Sequence, residues 1–193
     1  MPIVRLACWL LALISSPAFA ADDLTVVAER KGEFVEVRAR ATLDAPLSLI
    51  WTTLTDYERL PQFIPGLKKS RVLSRHGSVV VVEQSGEARF LMFSFPIDVT
   101  LESVEKPPTS IRVRAISGSF LYLDGAYLVE PDPARAGFVL TWTGTIAPDV
   151  SLPPLIGEFV LRISLEDQFS GMVREIERRE SVRRVRGKDA ARP

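Results

Sequence analysis

Carboxylates are plentiful in this chain of 193 residues, but histidine and cysteine, the side chains most often put to catalysis near neutral pH, occur once each. Its single histidine, His76, precedes Gly77, and the pair reads as a hairpin turn between two β-prone segments, which places the imidazole in solvent. No H-E-x-x-H, no phosphate-cradling glycine loop and no histidine-containing triad can be assembled from the residues present. Three carboxylates stand out by position. Asp56 lies near the end of a helical segment, where a hydrogen bond to local backbone is the simplest role. Asp98 falls on the polar side of an alternating strand, and Asp124 makes a turn-like pair with Gly125, so both read as solvated. The chain therefore presents no catalytic constellation, and neither a metal nor an organic cofactor is expected.

The stronger signal is apolar. Phe93, Phe95, Phe138, Trp142, Phe159 and Phe169 recur in strand and helix patterns and would either fill a core or line a hollow in it. Phe63 and Ile64 differ, because Pro61 and Pro65 bracket them in a turn. Two large apolar side chains held in such a loop would be buried, or would serve as a hydrophobic gate or a membrane-touching tip.

These residues need elements to position them. Val35, Val37, Ala39 and Ala41 alternate with Glu36, Arg38 and Arg40 in a first strand with one apolar face. Asp44 and Pro46 mark a helix start; Leu47, Ile50, Trp51 and Leu54 follow at helical spacing, and Pro61 should end that helix near Tyr57 to Leu60. A hairpin is expected from 71–74 and 79–83. Next comes one long alternating segment over 89–105, in which Leu91, Phe93, Phe95, Ile97, Val99 and Leu101 share a side. Pro96 within it calls for an edge strand or a bulge, which could divide the stretch in two. Segments 111–116, 125–129 and 138–146 complete a set of antiparallel neighbours joined by short turns. Beyond Pro153 and Pro154, apolar residues from Leu155 to Ile176 at three- and four-residue steps predict a helix of about 25 residues. Arg174, Arg178, Arg179, Arg183 and Arg184 crowd its expected end, which suits the negative pole of the helix or an anionic membrane surface. The tail beyond Arg186 is expected to fray.

Residues 1–20 combine Arg5, an apolar run from Leu6 to Ile14 and Ala18-Phe19-Ala20, the pattern of a cleaved export signal with its site after Ala20. The expected organisation is a signal peptide over 1–20, one domain over 21–186 and a flexible basic tail over 187–193, in the periplasm or secreted. Cleavage would remove the only cysteine, Cys8, and one of the 24 basic residues, leaving a formal charge of −1. That balance speaks against nucleic acid as a partner. One domain of this length can bury a real core and enclose a cavity.

The run Thr55-Asp56-Tyr57-Glu58-Arg59-Leu60-Pro61-Gln62-Phe63-Ile64-Pro65-Gly66, the triplet Gly118-Ser119-Phe120 and the proline-rich approach to the last helix resemble the START-like (SRPBCC) superfamily, the polyketide cyclase/dehydrase and lipid transport group. Within it they look most like the coenzyme Q-binding branch, although Tyr127 stands where a tryptophan is common in similar proteins and most of that branch lack an export signal. The resemblance implies an α+β helix-grip fold, in which a curved antiparallel sheet wraps a long C-terminal helix around an apolar cavity. It implies a hydrophobic ligand such as a lipid, isoprenoid or quinone-like compound, held by Trp51, Phe63, Ile64, Leu91, Phe93, Phe95, Val113, Tyr127, Trp142, Phe159, Ile163 and Met172. A cyclase or dehydratase would use the same cavity, orienting a reactive polyketone by shape with a few polar groups. A protein-binding module at a membrane complex would use the Phe63 loop and the basic helix end, with transient membrane contact. Oligomeric state stays open.

Overall fold

The computed structural model describes residues 24–90, 93–149 and 154–190. The expected export signal and Leu91 lie outside the described residues. Eight antiparallel strands form one sheet: β1 (Thr25–Lys31), β2 (Phe34–Leu43), β3 (Leu67–His76), β4 (Val79–Phe90), β5 (Phe93–Lys106), β6 (Ser110–Gly118), β7 (Phe120–Pro131) and β8 (Phe138–Pro148). Their order across the sheet is β1-β2-β8-β7-β6-β5-β4-β3. Sequential neighbours pair as hairpins, and the pairing of β2 with β8 closes the chain back on its beginning. Helix α1 (Leu47–Leu54) and a 3-10 helix, Tyr57–Gln62, are inserted between β2 and β3, and α2 (Pro154–Ala190) follows β8 and lies against β1, β2, β4 and α1.

Alternation decides which face is covered. In β2 every second residue, Val35, Val37, Ala39 and Ala41, is buried while its neighbours are exposed, and β8 matches it with Leu140, Trp142 and Ile146. Phe169, Met172, Val173 and Ile176 on α2 close over this face. A curved antiparallel sheet gripping a long C-terminal helix is the helix-grip fold.

Several expectations need correction. β1 carries no clear alternation in its sequence and is an edge strand, held by β2 alone among the strands. α1 stops at Leu54 instead of near Tyr57 to Leu60. Thr52 and Thr53 return their hydroxyls to the Leu49 carbonyl and Thr55 to that of Trp51, and such back-bonding weakens the helix end. Pro61 then sits inside the 3-10 turn. The stretch 89–105 is not one segment: β4 runs on to Phe90 and β5 begins at Phe93. Pro96 neither ends nor divides β5, because β6 reaches only as far as Val99 and the strand is a local edge at the proline. Gly125 lies within β7 opposite Gly144, not in a turn, and Arg112 grips Asp124 beside it. α2 has 37 residues instead of about 25 and remains helical to Ala190.

Candidate functional site

Interior positions of the central strands are occupied by small residues. Ser103, Gly125 and Gly144 lie near one level across β5, β7 and β8, with Ala39 on β2 beside them and Ala88 farther along β4. The two glycines make room for the Trp142 indole, and beside Ser103, Ala39 and Ala88 the curved sheet leaves space that one helix does not fill. The result is a cavity of about 220 Å³ between sheet and α2. Val82, Val99, Leu101, Ile111, Val113, Leu123 and Ile146 form its sheet wall; Leu54, Tyr57, Leu60 and Ile64 form one end; Leu161, Leu165, Phe169 and Met172 come from α2. Trp142 lies across the glycine pair. A Cβ on Gly144 would fall 2.7 Å from the indole, and one on Gly125 3.1 Å from it. The Tyr127 ring stands 6.4 Å away, tilted by 54°.

Polar groups reach this wall at a few points. Tyr57 donates its hydroxyl to the buried Glu105 carboxylate at 3.0 Å, and Arg75 holds the other Glu105 oxygen at 3.0 Å. Burial, and then the neighbouring Glu105 charge, push the Tyr57 phenol well above its ordinary range, so it acts as a donor and not as a base. Burial alone pushes Tyr127 up to about 12. Gln84, Ser85, Glu87, Ser103, Ser164 and Gln168 complete the polar set.

Of the residues expected to hold a ligand, Ile64, Val113, Tyr127, Trp142 and Met172 line the cavity. Trp51, Phe63, Phe95 and Ile163 do not: Trp51 and Phe63 pack against the main core, and Phe95 and Ile163 are half-buried outside the wall. Phe93 opens β5 and Phe159 lies in α2, with side chains outside the described residues. Phe63 is no free tip. The Arg179 guanidinium sits 5.4 Å from its ring centroid, and its carbonyl lies so near α2 that a Cβ on Gly171 would come within 2.5 Å of it.

Polar wall residues escaped the sequence reading although a signal existed. Gln84 follows Val80 and Val82 in register, Ser103 follows Val99 and Leu101, and Ser164 and Gln168 share a face with Leu161, Leu165 and Met172. A polar side chain in an apolar register is the mark of a lined void. Asp56, expected to bond local backbone, instead accepts from Arg59 at 3.0 Å and Arg179 at 2.8 Å. The arginine cluster does not sit at the helix end. Arg178 and Arg179 bind Glu175, Arg183 and Arg184 bind Glu180, and Arg184 reaches Asp44. On the opposite face of the sheet a larger, shallow depression of about 780 Å³ is bordered by Arg112–Asp124 and Lys31–Glu36 pairs, which suit solvent better than an apolar guest. Among the described residues no cluster could hold a metal ion, and no helix is long and apolar enough to cross a membrane.

The sequence model of the polyketide cyclase / dehydrase and lipid transport family matches residues 43–172, and the chain belongs to that family. Solved structures share the fold at low identity. The STAR-related lipid transfer protein of Xanthomonas axonopodis is similar at 16% identity and TM-score 0.68, over 83% of this chain and 97% of that one. The Zhui aromatase/cyclase of Streptomyces sp. R1128 is similar at 18% identity and TM-score 0.63, over 76% and 95%. A START superfamily protein of Mycobacterium smegmatis is similar at 15% identity and TM-score 0.59, over 74% and 97%. No curated protein matches the chain at the sequence level.

Proposed function

We propose that this protein binds a hydrophobic small molecule, a lipid, isoprenoid or quinone-like compound, in the cavity between sheet and α2, and carries or sequesters it without chemical change. The supporting observation is the wall itself: aliphatic and aromatic side chains around about 220 Å³. Burial of apolar ligand surface, at about 25 cal/mol per Å², would supply most of the affinity. Carriage is favoured over a cyclase or dehydratase because the polar wall groups are amides, hydroxyls, a phenol committed to Glu105 and one carboxylate, Glu87, already held by Lys68 and Ser94, which orient a guest better than they move its protons. The site of action we propose is the periplasm or the exterior. N-terminal sequencing of fractionated cells should then find a soluble chain beginning at Ala21, and a full-length cytoplasmic chain would remove that part of the reading.

Saturable uptake of an uncharged, environment-sensitive dye with about one site per chain is the expected result. Val113→Trp should fill the cavity and lower uptake at least tenfold while the far-ultraviolet dichroism is retained. Unchanged uptake by the folded variant would place binding elsewhere.

A further inference from the structure

We infer that the occupant of this cavity is an uncharged molecule bearing a hydroxyl or carbonyl oxygen, and that carboxylates and ammonium ions of the same carbon skeleton are refused. The inference rests on the binding role proposed above and adds the chemical class of the guest. Its basis is a wall in which Gln84 of β4, Gln168 of α2 and Tyr127 of β7 are set at separate points and which includes no lysine, arginine or histidine among its described residues.

Gln84 donates its amide nitrogen to Ser70 Oγ at 3.3 Å, and Gln168 donates to Ser164 Oγ at 3.2 Å. Each side-chain amide keeps its oxygen without a hydrogen-bond partner among the described residues, and so does the Tyr127 hydroxyl. An amide turned end for end would present its NH2 instead, so either orientation leaves an uncharged hydrogen-bonding group. Among the described residues no fully buried side-chain polar atom lacks a partner, so these oxygens are open to the hollow, where a guest oxygen would take the place of water.

Charge selects in the other direction. The one acidic residue of the wall, Glu87, has its carboxylate engaged by Lys68 at 2.7 Å and Ser94 at 3.0 Å. An entering anion would give up its hydration with no cation to replace it, and an ammonium ion would find that carboxylate already compensated. Scaling from benzene in a cavity of about 150 Å³, the volume suits a guest or a terminal segment of about nine non-hydrogen atoms.

Titration calorimetry of the full chain at pH 8 with 1-octanol, 2-octanone, octanoate and octylammonium tests this directly. Octanol and octanone should bind at least tenfold more tightly than either ion. Octanoate or octylammonium binding as well as octanol would overturn the inference while leaving the cavity's binding role intact. Failure of all four, together with failure of the uncharged dye, would overturn both. Gln168→Leu should weaken octanol about tenfold, with Gln84→Leu as the second variant should the first not fold. Wild-type octanol affinity in the folded variants would also defeat the inference.

Discussion

The two halves of α2 face opposite problems. From Leu161 to Met172 the helix looks into a void, presenting Leu161, Leu165, Phe169 and Met172 beside Ser164 and Gln168. From Val173 to Arg184 it is packed and clamped: Val173 and Ile176 have no exposed surface, and Glu175 and Glu180 each collect two arginines. Arg179 and Arg184 extend that clamp to Asp56 and Asp44, which flank α1. A void forfeits packing energy, so a fold that keeps one must secure its closing helix elsewhere. One half of α2 holds the molecule together; the other leaves room for a guest.

The largest test of this contrast is a pair of truncations on the one helix. Ile176→Ala should cost about 2–5 kcal/mol in denaturant unfolding, as deletions from a filled core do. Leu165→Ala, on the half-open wall, should cost about 1 kcal/mol and alter dye uptake instead. Equal losses for the two variants would mean that the halves are not distinct.

A smaller effect is expected from Gly144→Ala. The new methyl would press on Trp142 Cη2 and Cζ2 at 2.7 and 2.8 Å, forcing the indole or the strand to move at a cost of about 1–3 kcal/mol. Dye affinity should fall with it, because the ring would be driven into the hollow. Retained affinity in a destabilised variant would show that Trp142 does not set the shape of the cavity.

Smallest is the acid response of the clamp. Hydrogen bonds from Arg183, then from Arg184, hold the Glu180 carboxyl at about 2, below its ordinary value of 4.5. Because the folded state lowers this pKa, the stabilisation is fully present above about pH 4.5 and is lost as pH falls from there towards 2. Glu180 is covered, but its arginines are 57% and 50% exposed, and solvent screening reduces the expected loss to about 1 kcal/mol. Urea unfolding at pH 7 and pH 3 should therefore differ less for Glu180→Gln than for the parent chain. An identical pH dependence would remove Glu180 from the clamp.

Much of this architecture was legible in the chain. Val35, Val37, Ala39 and Ala41 alternate in the sequence as they do across β2, and the three- and four-residue steps of Phe169, Met172, Val173 and Ile176 mark the buried side of α2. The cavity was legible only in part. Trp142 and Met172 are large and apolar and announce an interior position, whereas Gln84, Ser103 and Gln168 resemble surface residues until their register is known. Bulk misled as well, since Phe63 and Trp51 are as apolar as any wall residue and yet pack, half-buried, against the core outside the wall.

Periodicity by itself determined the strand and helix types and the apolar faces, because a side chain's direction follows from local backbone geometry with a repeat of two or 3.6 residues. Only tertiary structure decided which small residues would meet. Gly125 and Gly144 are 19 positions apart in sequence and directly opposed across β7 and β8, and their shared lack of side chains becomes a seat for the Trp142 indole only after that pairing. The destination of the arginines was likewise non-local: Arg179 finds Asp56 from 123 residues away, and no spacing rule joins a helix to a loop across that distance. Local chemistry writes the elements, while volume and charge partners are properties of the packed whole.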